Sequence, residues 1–212
     1  MQLRNPNNIQ GIDVSQHQGD ISWSAVFGAE KSFAYIKATE GATVKDTKFD
    51  FNYIEAKNAG LFVGAYHYAF PESENDAISE ANYFVDTVNS AGGFEGNLPP
   101  ALDLETNPGG LNKDQLSEWA RLWIEHVRDR TGIQPILYTY LDFGQRNINE
   151  SLGEYPLWFA RYGVQQPEDC VGWKKWKFLQ YTDKGEVSGI FGRVDLNEFD
   201  GTIEELESGN II

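Results

Sequence analysis

Cysteine and histidine are scarce in this chain of 212 residues, which contains one Cys and three His. Because Cys170 has no second thiol to pair with, an intramolecular disulfide and a zinc or redox site built from two cysteines are excluded. With so few imidazoles and thiols available, we expect no metal site and no cofactor.

Basic residues are also few: the chain has 17 Lys and Arg against 32 Asp and Glu, for a net charge of −15. This negative charge repels phosphate backbones and anionic lipid surfaces, so we expect no nucleic-acid partner. No apolar run reaches the length of a membrane span, and residues 1–8 lack the apolar core of a signal peptide. The sequence predicts a chain that does not insert into membranes, carries no signal peptide and is monomeric.

Aromatic residues, by contrast, are abundant, with 6 Trp, 10 Tyr and 13 Phe making up 14% of the chain. A core of this size uses many of them. The surplus favours a ligand with apolar faces, such as a carbohydrate.

The segment Pro99–Glu105 places two carboxylates, Asp103 and Glu105, at the end of a short apolar run. In a strand these side chains share one face, with Cα atoms about 6.6 Å apart. Two acids in one space perturb each other, so the less solvated one keeps its proton while its neighbour stays ionised. Cleavage of a glycosidic bond needs such a pair. A solvated strand end would explain the same residues.

Strand and helix patterns alternate along the chain and then give way to strands alone. The predicted strands are 9–14, 33–39, 61–70, a strand around Asp103 and Glu105, 134–140, 156–162, 177–181 and 194–197. The predicted helices are 22–29, 46–59, 73–90, 112–130 and 142–149. Residues 204–212 are expected to form an acidic tail. This order predicts an α/β fold, an irregular TIM-like barrel with five β/α units followed by three further strands, in one domain over 1–212.

Active sites of parallel barrels gather at the carboxyl ends of the strands. The candidates found there are Asp13, Lys37, Glu40, Tyr66, Tyr68, Asp103, Glu105, Tyr138, Tyr140, Trp158, Arg161, Gln180 and Asp195. This set is acidic and aromatic, which favours a cleft that cleaves sugars over a metal or nucleotide site. His67, between two aromatic residues, is expected to pack in the barrel wall.

Ordered motifs cover nearly the whole chain: Gly11–Ser15, Tyr35–Gly41, Gly64–Tyr68, Pro100–Glu105, Ile136–Thr139, Leu157–Tyr162, Gln180–Tyr181 and Val194–Asn197. In these segments the chain resembles the glycoside hydrolase family 25 lysozymes, also called Chalaropsis-type muramidases. Gln16 and His17 follow the first motif where some members have a His directly after the Ser. We expect this departure to alter the rim of the site and leave its chemistry unchanged.

The resemblance implies hydrolysis of the β-1,4 bond from N-acetylmuramic acid to N-acetylglucosamine in peptidoglycan, with action on the bacterial cell wall, outside the cell or after release from a host cytoplasm. It implies that Glu105 is the general acid and that Asp103, Asp13 and Asp195 complete the catalytic set. The expected sugar-binding residues are Tyr66, Tyr138, Tyr140, Trp158, Lys37, Glu40 and Gln180. No separate wall-binding module is expected within 212 residues.

Three mechanisms remain open at this stage. An Asp could attack the sugar directly, or the substrate's own acetamido oxygen could attack while Asp103 orients the amide. Both routes retain the β configuration, and we favour the second. In the third, Asp13 or Asp195 activates a water and the configuration inverts.

Two other classes of protein compete with a muramidase. A carbohydrate-binding barrel that has lost catalysis would keep the aromatic residues but usually lose an acid. A chitinase-type barrel hydrolase would use a similar acid pair, so only the ordered motifs argue against it.

Overall fold

The computed structural model describes residues 1–96, 98–209 and 211. The strands are β1 (Ile9–Val14), β2 (Phe33–Glu40), β3 (Val44–Lys45), β4 (Phe62–Tyr68), β5 (Ala101–Asp103), β6 (Ile136–Tyr140), β7 (Leu157–Ala160), β8 (Phe178–Gly185) and β9 (Val194–Phe199). The α-helices are α1 (Trp23–Gly28), α2 (Phe49–Asn58), α3 (Ala77–Ser90), α4 (Lys113–Thr131), α5 (Leu141–Asn147) and α6 (Ile203–Ser208). Short 3-10 helices cover Gln16–Gln18 and Glu150–Glu154.

Eight of these strands close into a barrel in the order β1, β9, β8, β7, β6, β5, β4, β2, and β1 pairs with β2 to complete the ring. All neighbours in the ring are parallel except β9, which runs antiparallel to both β8 and β1. The short β3 pairs with the end of β2 outside the ring. The predicted irregular barrel of five β/α units and three further strands is confirmed.

Aromatic side chains fill the barrel interior. The Tyr35 ring stacks on Trp158 with 4.6 Å between centroids, and Phe178 lies 4.7 Å from Phe199. Much of the aromatic surplus seen in the sequence is therefore packing. These packed rings close the interior of the barrel, and a cavity lies above them at one end of it.

Helix α4 forms where the sequence predicts it and covers the outside of the barrel. Asn112 caps its first turn by accepting hydrogen bonds from the backbone of Asp114 and Gln115, and Gly132 ends it in a left-handed conformation. Trp119 and Trp123 on its inner face are fully buried. Among the described residues, no helix combines the length and the apolar character that crossing a membrane requires.

Several local predictions differ from the structure, and the helix expected over 73–90 begins at Ala77, as α3. The acidic tail expected from residue 204 begins as a helix, α6, because Thr202 and Glu205 form a capping box and Leu206 is buried; residues 210 and 212 of that segment lie outside the described residues. The range expected for the second helix began with its cap, at Asp46 or Thr47, whereas the N-cap of α2 is Lys48. The side chain of Asp46 instead accepts hydrogen bonds from the backbone of Gln16 and Lys48.

Candidate active site

The carboxyl ends of the parallel strands and the amino end of the antiparallel β9 surround a cavity of about 360 Å³. Its lining is Asp13, Val14, Ser15, His17, Gln18, Lys37, Tyr66, Tyr68, Asp103, Glu105, Tyr138, Trp158, Tyr162, Gln180, Asp183 and Asp195. A second cavity of about 570 Å³ adjoins it, because Glu105, Tyr138 and Tyr162 line both. Together they form one cleft across the end of the barrel.

The four predicted acids therefore do meet in one place. Strand β5 ends at Asp103, so the expectation of one regular strand carrying both Asp103 and Glu105 is wrong. The alternation nevertheless continues for two more residues, because the backbone N–H of Leu104 donates to the carbonyl of Tyr138 at 3.0 Å. Leu104 is fully buried in the core, while Asp103 and Glu105 both line the cleft.

Burial raises the pKa of the Asp103 carboxyl well above its usual range, and the neighbouring charge of Glu105 raises it further. Burial also raises the pKa of Glu105, assisted by the charge of Asp13 and opposed by Lys37 and by the hydroxyl of Tyr68. Asp103 is the less solvated of the two, with 8% of its surface exposed. Of the two carboxyl groups, Asp103 is therefore the one whose surroundings favour its protonated form more strongly.

Asp103 has one further unusual property. Its Oδ1 atom is buried and has no hydrogen-bond partner among the described residues. A buried carboxyl oxygen is normally satisfied, because leaving it unpaired costs about 1–3 kcal/mol. Asp103 lines a cleft of ligand size, so its carboxyl group is a candidate acceptor for an N–H group that binds there.

Asp13 and Asp195 face each other as register partners across β1 and β9. Their carboxyl groups hydrogen-bond to each other, and burial together with the charge of Asp13 raises the pKa of Asp195 to about 8. Burial also raises the pKa of Asp13, although the amide groups of Gln180 and Asn197 donate to its Oδ2 at 2.8 Å and 2.7 Å and oppose that shift. At neutral pH Asp195 is thus the protonated member of this second pair.

The orientation of both amides is set by aromatic side chains. The hydroxyls of Tyr138 and Tyr162 donate to Oε1 of Gln180 at 3.1 Å and 2.6 Å, so its NH₂ group must point to Asp13. Trp158 Nε1 donates to Oδ1 of Asn197 at 2.8 Å with the same effect. Tyr138 and Trp158, predicted to bind sugar, thus hold the floor of the site, and 7% and 2% of their surfaces are exposed.

The remaining predicted sugar-binding residues differ in their positions. Tyr66 lines the first cavity and Tyr140 the second, where 37% of Tyr140 is exposed. Lys37 lies over the Tyr68 ring, 4.5 Å from its centroid, and pairs with Glu40 at 2.7 Å. Glu40 lines neither cavity and reaches the site only through Lys37.

Several lining residues were not among the expected catalytic or sugar-binding residues. Tyr68 was already a strand-end candidate and Tyr162 lies within the Leu157–Tyr162 motif, so a signal for both was present. No sequence pattern pointed to Asp183. The pairing of β8 with β9 shifts register after Gln180, so simple alternation along the strand does not predict that Asp183 faces the cleft.

His67 packs in the barrel wall as predicted. It is fully buried, bonds to Thr39 and Glu80, and stacks on Trp123.

A larger cavity of about 1030 Å³ lies at the opposite end of the barrel, beside the segments that lead into β6, β7 and β8. None of the predicted site residues lines it. The chemistry therefore belongs to the smaller cleft.

Comparison with known proteins agrees with this assignment. The family described as Glycosyl hydrolases family 25 matches residues 12–190. Lysozyme M1 of Streptomyces globisporus is 39% identical over 94% of this chain and 70% of its own length. The N,O-diacetylmuramidase of Arthroderma benhamiae is 28% identical over 94% of this chain and 86% of its own length.

Solved structures show the same relationship. The bacterial lysozyme from Streptomyces coelicolor superposes with a TM-score of 0.89 at 36% identity, covering 98% of this chain and all of that one. The matched segment spans most of the chain and includes Asp13, Asp103 and Glu105. The chain belongs to glycosyl hydrolase family 25 and is a glycoside hydrolase.

Proposed function

We propose that this chain is a muramidase whose single catalytic domain, residues 1–212, hydrolyses the β-1,4 bond between N-acetylmuramic acid and N-acetylglucosamine by substrate assistance, with retention. The observation that carries the mechanism is the unpartnered Oδ1 of Asp103 beside Glu105. An acetamido N–H is a donor of the kind that this oxygen lacks. The protein would act on the cell wall, outside the producing cell or after release from a host.

Binding of the acetamido group prepares the acid pair. When the amide N–H donates to Oδ1, the ionised form of Asp103 is stabilised and its pKa falls. A proton on the pair then resides on Glu105, whose pKa burial keeps above its usual value. Substrate thus converts the resting proton arrangement into the reactive one.

In the first chemical step the acetamido carbonyl oxygen bonds to the anomeric carbon. The bond from that carbon to the leaving oxygen breaks, and the leaving oxygen takes the proton of Glu105. The resulting oxazolinium ring carries positive charge at nitrogen, and its N–H donates a hydrogen bond to Asp103.

In the second step a water attacks the anomeric carbon, and Glu105, now a carboxylate, takes one of its protons. The ring opens and the product keeps the β configuration. Asp13 lines the cleft and accepts hydrogen bonds from the amides of Gln180 and Asn197, which favour its carboxylate form; that negative charge stabilises both cationic transition states.

Substitution of Glu105 by Gln tests the acid assignment, because the amide keeps the shape but cannot donate the proton. We expect wall lysis to fall about 10²–10⁴-fold, measured as turbidity of a wall suspension beside a chitin assay. Unchanged thermal unfolding of the variant shows that the fold is intact. A variant that keeps activity within tenfold of the parent would contradict this role for Glu105. If the parent protein cleaves chitin in preference to walls, it is a chitinase and not a muramidase.

The stereochemical outcome tests the mechanism. Double displacement at the anomeric carbon yields an initial β product, which proton NMR detects before mutarotation. An initial α product would indicate inversion, with Asp13 or Asp195 as the base, and would falsify substrate assistance.

A further inference from the structure

The loop between β8 and β9, residues 186–193, carries an aromatic ring that the mechanism does not use. Phe191 is 97% exposed, the highest value for a large apolar side chain among the described residues. Strand β8 brings Asp183 and strand β9 brings Asp195 into the cleft, so this loop lies at the same end of the barrel as the reaction.

The backbone of the loop that carries Phe191 is held in place by contacts with the rest of the protein. The carbonyl of Gly189 accepts a bond from the backbone of Ser22 at 2.9 Å, and Ile190 N–H donates to Val187 at 3.1 Å. A Cβ on Gly189 would lie 2.4 Å from the carbonyl oxygen of Ser22, so only glycine permits this close approach. Val187 is buried beneath the loop. The backbone is therefore held in place while one ring projects into solvent.

The loop is continuous with the cleft. Gln18 lines the first cavity, and its Nε2 donates to the carbonyl of Arg193 at 3.5 Å. Phe191 precedes Asp195 by four residues, which limits the distance between their Cα atoms to about 14 Å. A chain of sugars that leaves the cleft on this side can reach the ring.

We propose that Phe191 stacks on a sugar ring of the glycan strand outside the reactive centre and makes the polymer a better substrate than a short fragment. The inference rests on the proposed function, because it assumes that the cleft binds such a strand. The C–H face of a pyranose is apolar and flat, and an aromatic ring is its natural partner. Once one segment of the glycan strand is bound in the cleft, the next segment is held near Phe191 at a high effective concentration.

The test compares the parent protein with Phe191→Ala and Phe191→Tyr on three substrates: intact walls, peptide-free glycan strands and a soluble tetrasaccharide. We expect Ala to raise KM on walls and strands about three- to tenfold with little change in kcat, and to leave the tetrasaccharide unaffected. Tyr should restore the parent values because it keeps the ring. Phe51→Ala is the matched control, since Phe51 is 52% exposed on α2. Cosedimentation with glycan strands gives a second readout that does not depend on hydrolysis.

Each alternative outcome overturns the proposal. Parent-like KM and binding of the Ala variant on strands would show that the ring makes no contact. A loss confined to peptide-bearing walls would assign the ring to the stem peptide, and an equal loss on the tetrasaccharide would place it in the reactive centre. A parent protein that lyses no walls, yet binds strands through Phe191, would contradict the proposed function and leave this contact standing.

Discussion

At the scale of single residues, identical carboxyl groups acquire different properties from their surroundings. Asp13 receives two amide donors and carries the charge, while Asp195 beside it has its pKa raised to about 8. Asp103 is buried with an oxygen that no described residue satisfies. Sequence spacing cannot distinguish these acids, because the differences arise from partners contributed by other strands.

The raised pKa of Asp195 predicts a dependence of stability on pH. An unfolded Asp titrates near pH 3.9, so between about pH 4 and pH 8 the folded state holds a proton that the unfolded state releases. Folding stability should therefore fall as pH rises through this window. Asp195→Asn removes the titration and still donates to Asp13. At pH 8 we expect its melting temperature to exceed that of the parent by about 2–4 °C, roughly 1 kcal/mol after allowance for partial exposure.

Thermal unfolding at pH 5 and pH 8 measures this effect. The gain in the variant should shrink at pH 5, where the parent carboxyl is protonated as well. Asp129→Asn serves as the control because Asp129 is exposed. An equal shift at both pH values would show that Asp195 does not titrate in this range.

At the scale of elements, glycines on two barrel strands determine where the interior aromatic rings fit. A Cβ on Gly64 of β4 would lie 2.3 Å from the Tyr35 ring, and one on Gly11 of β1 would lie 2.5 Å from Phe33. These distances are shorter than real side-chain contacts. The two strands can therefore pack against these rings only because glycine has no side chain at these positions.

Gly64→Ala should destabilise the fold by about 1–3 kcal/mol, because the added methyl group forces Tyr35 or the strand to move. Urea unfolding measures the loss. Gly28→Ala, in α1, is the matched control, since a Cβ there meets nothing within 4 Å and alanine favours the helix. Equal stability of the two variants would contradict the packing argument.

At the scale of the whole molecule, the net charge of −15 opposes approach to an anionic wall. Raising the ionic strength from 10 to 150 mM shortens the screening length from about 30 to about 8 Å. We expect kcat/KM on walls rich in phosphate polymers to increase by about two- to tenfold over this range. Walls stripped of those polymers should show a smaller change, and a decrease with salt would indicate a basic contact surface instead.

Local sequence patterns were enough to predict the barrel, the family and the acids at the strand ends, because alternation and strand order are visible along the chain. The role of each acid depends on contacts that form only in the folded barrel. Asp13 and Asp195 become a hydrogen-bonded pair only when β9 runs antiparallel beside β1, and Tyr138 becomes a support only because Gln180 lies opposite it. Asp183 enters the cleft through a register shift. Burial, partners and register are properties of strands brought together from distant parts of the chain, so no local pattern encodes them.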